Sequence, residues 1–216
     1  LKDWLIVSCF IVVVLAVGWF IFQDLNSPKF NLADSDSPID ISGEPLQIAS
    51  PDTLIPFIEH AGCRYVIKPQ ARYRISGILV SKRHYMRGFM SYLSPWDYAI
   101  IWGEAPNYLS YMKFDQIVRY CMFEFKSPVQ VDFKKIANQM GNNHLIPSTP
   151  NLRKALGKAR KLDRVKVEGF LVNVVGQDRK QRFSYWNTSL ERTDNGGGAC
   201  EIIYVTRLRI NDKVYE

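Results

Sequence analysis

The sequence predicts a β-rich domain with little helix behind a single hydrophobic helix. Three observations carry this: an unbroken apolar run near the start, a breaker-rich acidic stretch after it, and a series of short Val, Ile, Phe and Tyr-rich runs beyond. The chain has 216 residues, 47% of them hydrophobic, which excludes a fully disordered chain, and its glycines and prolines follow no repeating period. Its formal net charge is +7.

The apolar run, Trp4 to Phe22, contains no acid or base. As a helix it spans roughly 28 Å, close to the hydrocarbon thickness of a bilayer. Its apolar residues cover every face, and Trp4 and Trp19 stand near its ends. Residues 1–22 are therefore expected to be a transmembrane anchor, with the lipid bilayer as the partner of residues 4–22. Ala16-Val17-Gly18 is followed by bulky residues and makes a poor cleavage site, so retention is expected. Lys2 and the amine lie before the run and Lys29 alone follows closely, which weakly favours an inside amino terminus. That orientation implies a single-pass protein of the cell inner membrane with a periplasmic domain; the reverse makes the domain cytoplasmic.

Residues 23–50, with Ser27-Pro28, Asp34-Ser35-Asp36-Ser37-Pro38 and Gly43-Glu44-Pro45, read as an acidic spacer. Residues 1–50 hold two basic and six acidic side chains, which leaves 26 against 15, or +11, on a globular domain over 51–216. Strands are expected at 65–68, 73–81, 98–102, 117–125, 129–133, 165–174 and 201–210. Two of these runs, Tyr73-Arg-Ile-Ser-Gly-Ile-Leu-Val80 and Val165-Lys-Val-Glu-Gly-Phe-Leu-Val172, share a pattern with a glycine inside the strand. Mid-strand glycines mark bulges or sharp bends, and a small coiled barrel of OB-like type suits both them and a basic surface.

One helix is expected between the strands. Over 151–162, Leu152, Ala155, Leu156 and Ala159 form one apolar stripe, after Pro150 and Asn151 as a start signal. Arg153, Lys154, Lys158, Arg160 and Lys161, continued by Arg164, read either as a solvated face or as a patch that binds an anion. Outside the cytoplasm its partner would be lipid head groups or an anionic polymer; nucleic acid becomes a candidate only for a cytoplasmic domain. Aromatics interleave with basic residues at Arg182-Phe183-Ser184-Tyr185-Trp186, where a base or sugar ring could stack.

Candidate chemistry lies in two segments. In Gly141-Asn142-Asn143-His144-Leu145-Ile146-Pro147, a loop-like reading lets His144 act as a general base oriented by Asn142 or Asn143. The second runs from Arg192 through Gly196-Gly197-Gly198 to Cys200 and Glu201 and lacks the ending of a phosphate-binding loop. Cys200 with His144 would make a nucleophile and base for a hydrolase or transferase. Cys63, Cys121 and Cys200 show no metal-ligand spacing, so no metal or cofactor is expected; an oxidising compartment would permit one disulfide among them.

Asn-Asn-His-Leu-Ile-Pro at 142–147 and W-x-x-S-L-x-R-x-D-x-G-x-G-A-C-E at 186–201 resemble a group of uncharacterised bacterial membrane-anchored proteins. The resemblance covers the last third of the chain and implies an envelope protein with one anchor, without any activity. Together these readings favour binding or scaffolding, with other membrane or envelope proteins as partners, over catalysis. A Cys200–His144 enzyme is the first alternative, and a polyanion or nucleic-acid binder the second.

Overall fold

A computed structural model describes residues 2–33, 37–49, 53–88, 90–191 and 199–216. The N-terminal segment forms helix α1 (Lys2–Asn26) where the sequence places a helix. Its expected role is corrected: among the described residues no helix is long and apolar enough to cross a membrane. The transmembrane-anchor, single-pass, signal-anchor and inner-membrane readings fall with this finding, as does the periplasmic placement derived from them.

The β-rich expectation agrees with the strands observed. After α1 come, among the described residues, β1 (Asn31–Leu32), β2 (Leu46–Ala49), β3 (Ile58–His60), β4 (Cys63–His84), β5 (Trp96–Ile101), β6 (Met112–Ile117), β7 (Tyr120–Phe125), β8 (Met140–Pro147), β9 (Arg164–Gln177), β10 (Phe183–Trp186), β11 (Glu201–Ile210) and β12 (Lys213–Tyr215). A 3-10 turn (Ala105–Tyr111) and two short helices, α2 (Phe133–Ala137) and α3 (Pro150–Leu156), lie between them. Five strands close a circuit, because β4 pairs β5, β5 pairs β8, β8 pairs β11, β11 pairs β9 and β9 returns to β4. Taken in chain order they run 1-2-3-5-4 around the barrel, with only the 3–5 pair, β8 with β11, parallel. With α3 between the third and fourth, this is the Greek-key connectivity of an OB-type barrel.

The two similar runs pair with each other. Tyr73 stands opposite Gly169 and Gly77 opposite Val165, so each glycine faces the first residue of the other run. A Cβ added at Gly169 would overlap the Tyr204 carbonyl oxygen and lie 2.9 Å from its carbon; one at Gly77 would overlap the Ile101 carbonyl oxygen. Both glycines therefore mark places where a third strand crosses too close for any side chain, as closing a small barrel demands.

The barrel interior is filled by Ile75, Leu79, Tyr98, Ile100, Leu171 and Ile203 among others, and α3 plugs it with Leu152, Ala155 and Leu156. Thr149 caps α3 by accepting from the Leu152 N–H at 3.1 Å. The helix stops at Leu156, earlier than the stripe suggests, although Ala159 is still buried. Lys82 explains the stop: its ammonium donates to the carbonyls of Gly157 (2.8 Å) and Ala159 (2.7 Å) while lying over the Trp96 ring. A cation here satisfies carbonyls that the helix leaves open and complements its dipole.

The segment read as a spacer packs on the barrel. β1 adds to β12, β2 adds to β4, and Ile39 is buried. Asn151 grips the strap by accepting from the Lys29 N–H and donating to the Lys29 carbonyl, at 2.8 and 2.9 Å.

The run 117–125, expected as one strand, is broken by the β6–β7 turn at Val118-Arg119, where both residues have positive φ (39° and 58°). No strand forms over 129–133; α2 begins at Phe133, capped by Asp132. Most consequential is Asn142–Pro147, expected as a loop, which is part of the buried central strand β8.

Candidate functional site

The outer face of β4, β5, β8 and β11 carries two transverse rows of side chains. Pairing aligns Ser81, Ala99 and Asn142, with Cys200 just before β11 beside Asn142; the next row is Arg83, Asp97, His144 and Ile202. In OB-type barrels the second and third strands commonly present a binding face. Here the β6–β7 hairpin covers it. Gln116 of β6 accepts from the Ser81 hydroxyl at 2.8 Å and donates to Asn142 at 3.4 Å. Arg83 donates to the Gln116 carbonyl.

Arg119, at the hairpin tip, reaches the second row. Its guanidinium donates to Asp97 Oδ1 at 2.9 Å and to the Ser94 carbonyl at 3.0 Å, and it lies over the Tyr85 ring. Asp97 is fully buried and His144 nearly so. The His144 Nδ1 atom is 2.9 Å from the same Asp97 oxygen, without an aligned hydrogen bond between them. The second Asp97 oxygen takes no hydrogen bond among the described residues. The Trp186 ring packs 4.9 Å from the imidazole. The carboxylate thus holds the hairpin tip to β5, and its buried charge is tolerated because the Arg119 guanidinium meets it.

Of the two residues assigned to catalysis, His144 has Asp97 and Trp186 as close partners. The Cys200 sulfur accepts from the Asn142 amide at 3.5 Å and donates to the Arg119 carbonyl at 3.9 Å. The two share a face on neighbouring strands, two positions out of register, with Asn142 beside the thiol. Asn143 points the other way, into the barrel, where its amide donates to the Tyr98 and Gly141 carbonyls. The glycine run 196–198 lies outside the described residues. Among the described residues Cys63, Cys121 and Cys200 form no disulfide, and no three His, Cys, Asp or Glu side chains are grouped to hold a metal.

Burial pushes the Cys121 thiol up to about 12. Since only a thiolate reacts, iodoacetamide at pH 8 is expected to modify Cys121 far more slowly than Cys63 and Cys200, which are partly exposed. The same shift means that the folded state holds this proton more tightly than the unfolded one. Its contribution to stability is complete below the unfolded thiol pKa of about 8.5 and is lost as pH rises toward 12. Site-resolved mass spectrometry checks the first statement; equal labelling of all three thiols would refute it.

The basic residues of 153–164 are dispersed. Arg153 donates to the Tyr92 carbonyl, Lys154 to the Leu25 carbonyl and Arg164 to the Ile39 carbonyl. Lys158 and Arg160 line a groove of about 470 Å³ with Lys213, Asp163 and Asp212, while Lys161 is exposed. A denser array that the sequence reading missed lies on the outer face of β4, β9 and β11. There Arg74 stands opposite Glu168 and Glu168 opposite Arg207; in the next row Ser76 faces Lys166 and Lys166 faces Arg209. Arg72, opposite Phe170, extends the array. Five cations thus surround Glu168, which takes Lys166 at 3.3 Å and Arg207 at 3.8 Å; Glu216 meets Arg207 at 3.1 Å. Alternation along three strands was the available signal: Arg72 and Arg74, Lys166 and Glu168, Arg207 and Arg209 are each two apart.

No family model matches the chain, and comparison with curated proteins and with solved structures gives no significant match. The geometry of the molecule itself therefore carries the functional reading.

Proposed function

We propose that this protein is a non-catalytic binding module that takes a polyanionic partner on the outer face of β4, β9 and β11. The observation that carries the reading is the register of that face, where Arg72, Arg74, Lys166, Arg207 and Arg209 gather about Glu168, with Glu216 as the other carboxylate paired there among the described residues. Lys166 and Arg209 stand directly opposite each other, about 5 Å apart, and such like charges repel, a repulsion that an anion laid across them relieves. The face between β5 and β8, by contrast, is filled by the protein's own hairpin.

Binding of inorganic polyphosphate is expected to weaken steeply with salt, because each neutralised phosphate releases counterions. Reversing two cations (Arg72→Glu with Arg74→Glu) is expected to lower affinity at least tenfold at low salt and to flatten the log–log salt slope by about 2. Both residues are exposed, so the melting temperature serves as the folding control. A flat salt dependence, or unchanged affinity in a folded double variant, would overturn the reading.

A further inference from the structure

The paired strands β4 and β9 continue past the barrel, and β3 on the β4 side and β10 on the β9 side join them there to form a four-stranded platform. On one of its faces Phe183 stands opposite Gln177, which stands opposite Arg64; Tyr185 stands opposite Val175, which stands opposite Val66; and Lys68 lies opposite Asn173. The other face, with Tyr65, Ile67, Val174 and Trp186, packs against the domain. The first face is open. Phe183 and Tyr185 expose 58% and 65% of their surface, and their rings lie side by side, 6.4 Å apart and inclined by only 26°. Phe57, also exposed, lies against the Arg64 guanidinium.

Rings so exposed contribute little to the core, and their near-parallel faces are free to take planar groups. On the same face of the sheet lie Arg64 and Lys68, and the turn between β9 and β10 carries Arg179, Lys180 and Arg182. Among the described residues the carboxylates paired here are already engaged: Glu59 with Arg64 and Asp178 with Arg182. Flat aromatic faces set among cations match a polymer that alternates planar rings with negative charge. A polyphosphate or an acidic peptide would use the cations and leave the rings idle. A duplex keeps its bases stacked on one another, whereas a single strand can splay them onto aromatic side chains.

We propose that this platform binds single-stranded nucleic acid, its bases stacking on Phe183 and Tyr185 and its phosphates meeting Arg64, Lys68 and the β9–β10 turn. The platform is separate from the Arg72, Arg74, Lys166, Arg207 and Arg209 array and goes beyond the polyanion reading. Stacking of this kind changes affinity by about 5- to 100-fold for each ring removed.

The test uses the full chain and four probes: an oligothymidylate of about 20 nucleotides, its uridylate counterpart, a duplex of equal length, and polyphosphate of matched charge. The single strands are expected to bind more tightly than duplex and polyphosphate. Phe183→Ala with Tyr185→Ala is expected to weaken oligothymidylate at least 20-fold and to leave polyphosphate within twofold, while Tyr185→Phe retains binding. Single strands that bind no better than polyphosphate, or a folded double variant with unchanged affinity, would overturn the platform assignment and leave the polyanion reading in place. An anionic polysaccharide that binds as tightly as the oligonucleotide would also overturn it. Failure of every probe to bind would overturn the polyanion reading itself.

Discussion

Replacing Gly169 by alanine is expected to cost about 4 kcal/mol or more, enough to lower the melting temperature by more than about 10 °C. The new methyl group would meet only main chain: the Tyr204 carbonyl oxygen, its carbon at 2.9 Å and the Thr206 nitrogen at 3.2 Å. No side chain can rotate away, so β9 and β11 must separate at a register shift between Val205 and Arg207 that already accommodates one extra residue. At an ordinary strand glycine the same change is neutral or stabilising, since alanine narrows the unfolded ensemble. Thermal denaturation followed by circular dichroism separates the cases. A variant that melts within about 3 °C of the parent would show that the strands leave room for a methyl group at this crossing.

The second large effect is expected at the hairpin tip. Arg119→Met keeps a long side chain but leaves Asp97, which is fully buried, without its cation. Removing one partner of a buried ion pair costs about 3–5 kcal/mol, because the remaining charge stays desolvated. Replacing both partners (Arg119→Met with Asp97→Asn) is expected to recover more than half of that loss, since the uncompensated charge is gone. Amide exchange gives the sharper readout: protection in β6 and β7 should fall before protection in β4 and β9. Uniform loss across all strands would mean that Arg119 does not hold the hairpin specifically.

Much of the architecture is legible in the residues. The Val, Ile and Tyr-rich runs mark β4, β5, β9 and β11; the Leu152, Ala155, Leu156 and Ala159 stripe marks the barrel plug; and the two glycine-centred runs prove to be partners. Apolar alternation reports which residues are buried but not what buries them. β8 escaped notice for that reason. Asn142, Asn143 and His144 look like loop residues, yet Asn143 finds carbonyls inside the barrel while Asn142 and His144 find Gln116 and Asp97 under the hairpin. The hairpin turn was equally hidden, because Val118 and Arg119 take left-handed conformations that turns usually assign to Gly, Asn or Asp. Hydropathy alone suggested a membrane span, and the described helix does not provide one. Of the expected site residues, His144 and Asn142 sit in a polar cluster, whereas Arg153, Lys154 and Arg164 spend their charge on backbone carbonyls.

The parallel pairing of β8 with β11 governs when the molecule can become itself during synthesis. Asn143 pairs with Glu201, 58 positions later in the chain, and β11 is also the strand that joins β9 across the gap. Four of the five barrel strands are therefore made before the one that closes the ring, and until it arrives β8 and β9 each present an unpaired edge. Joining ends that far apart carries a loop-closure cost that local contacts do not repay in advance. Newly made chains should pass through an open-edged intermediate on the ribosome, and in that interval aggregation competes with folding.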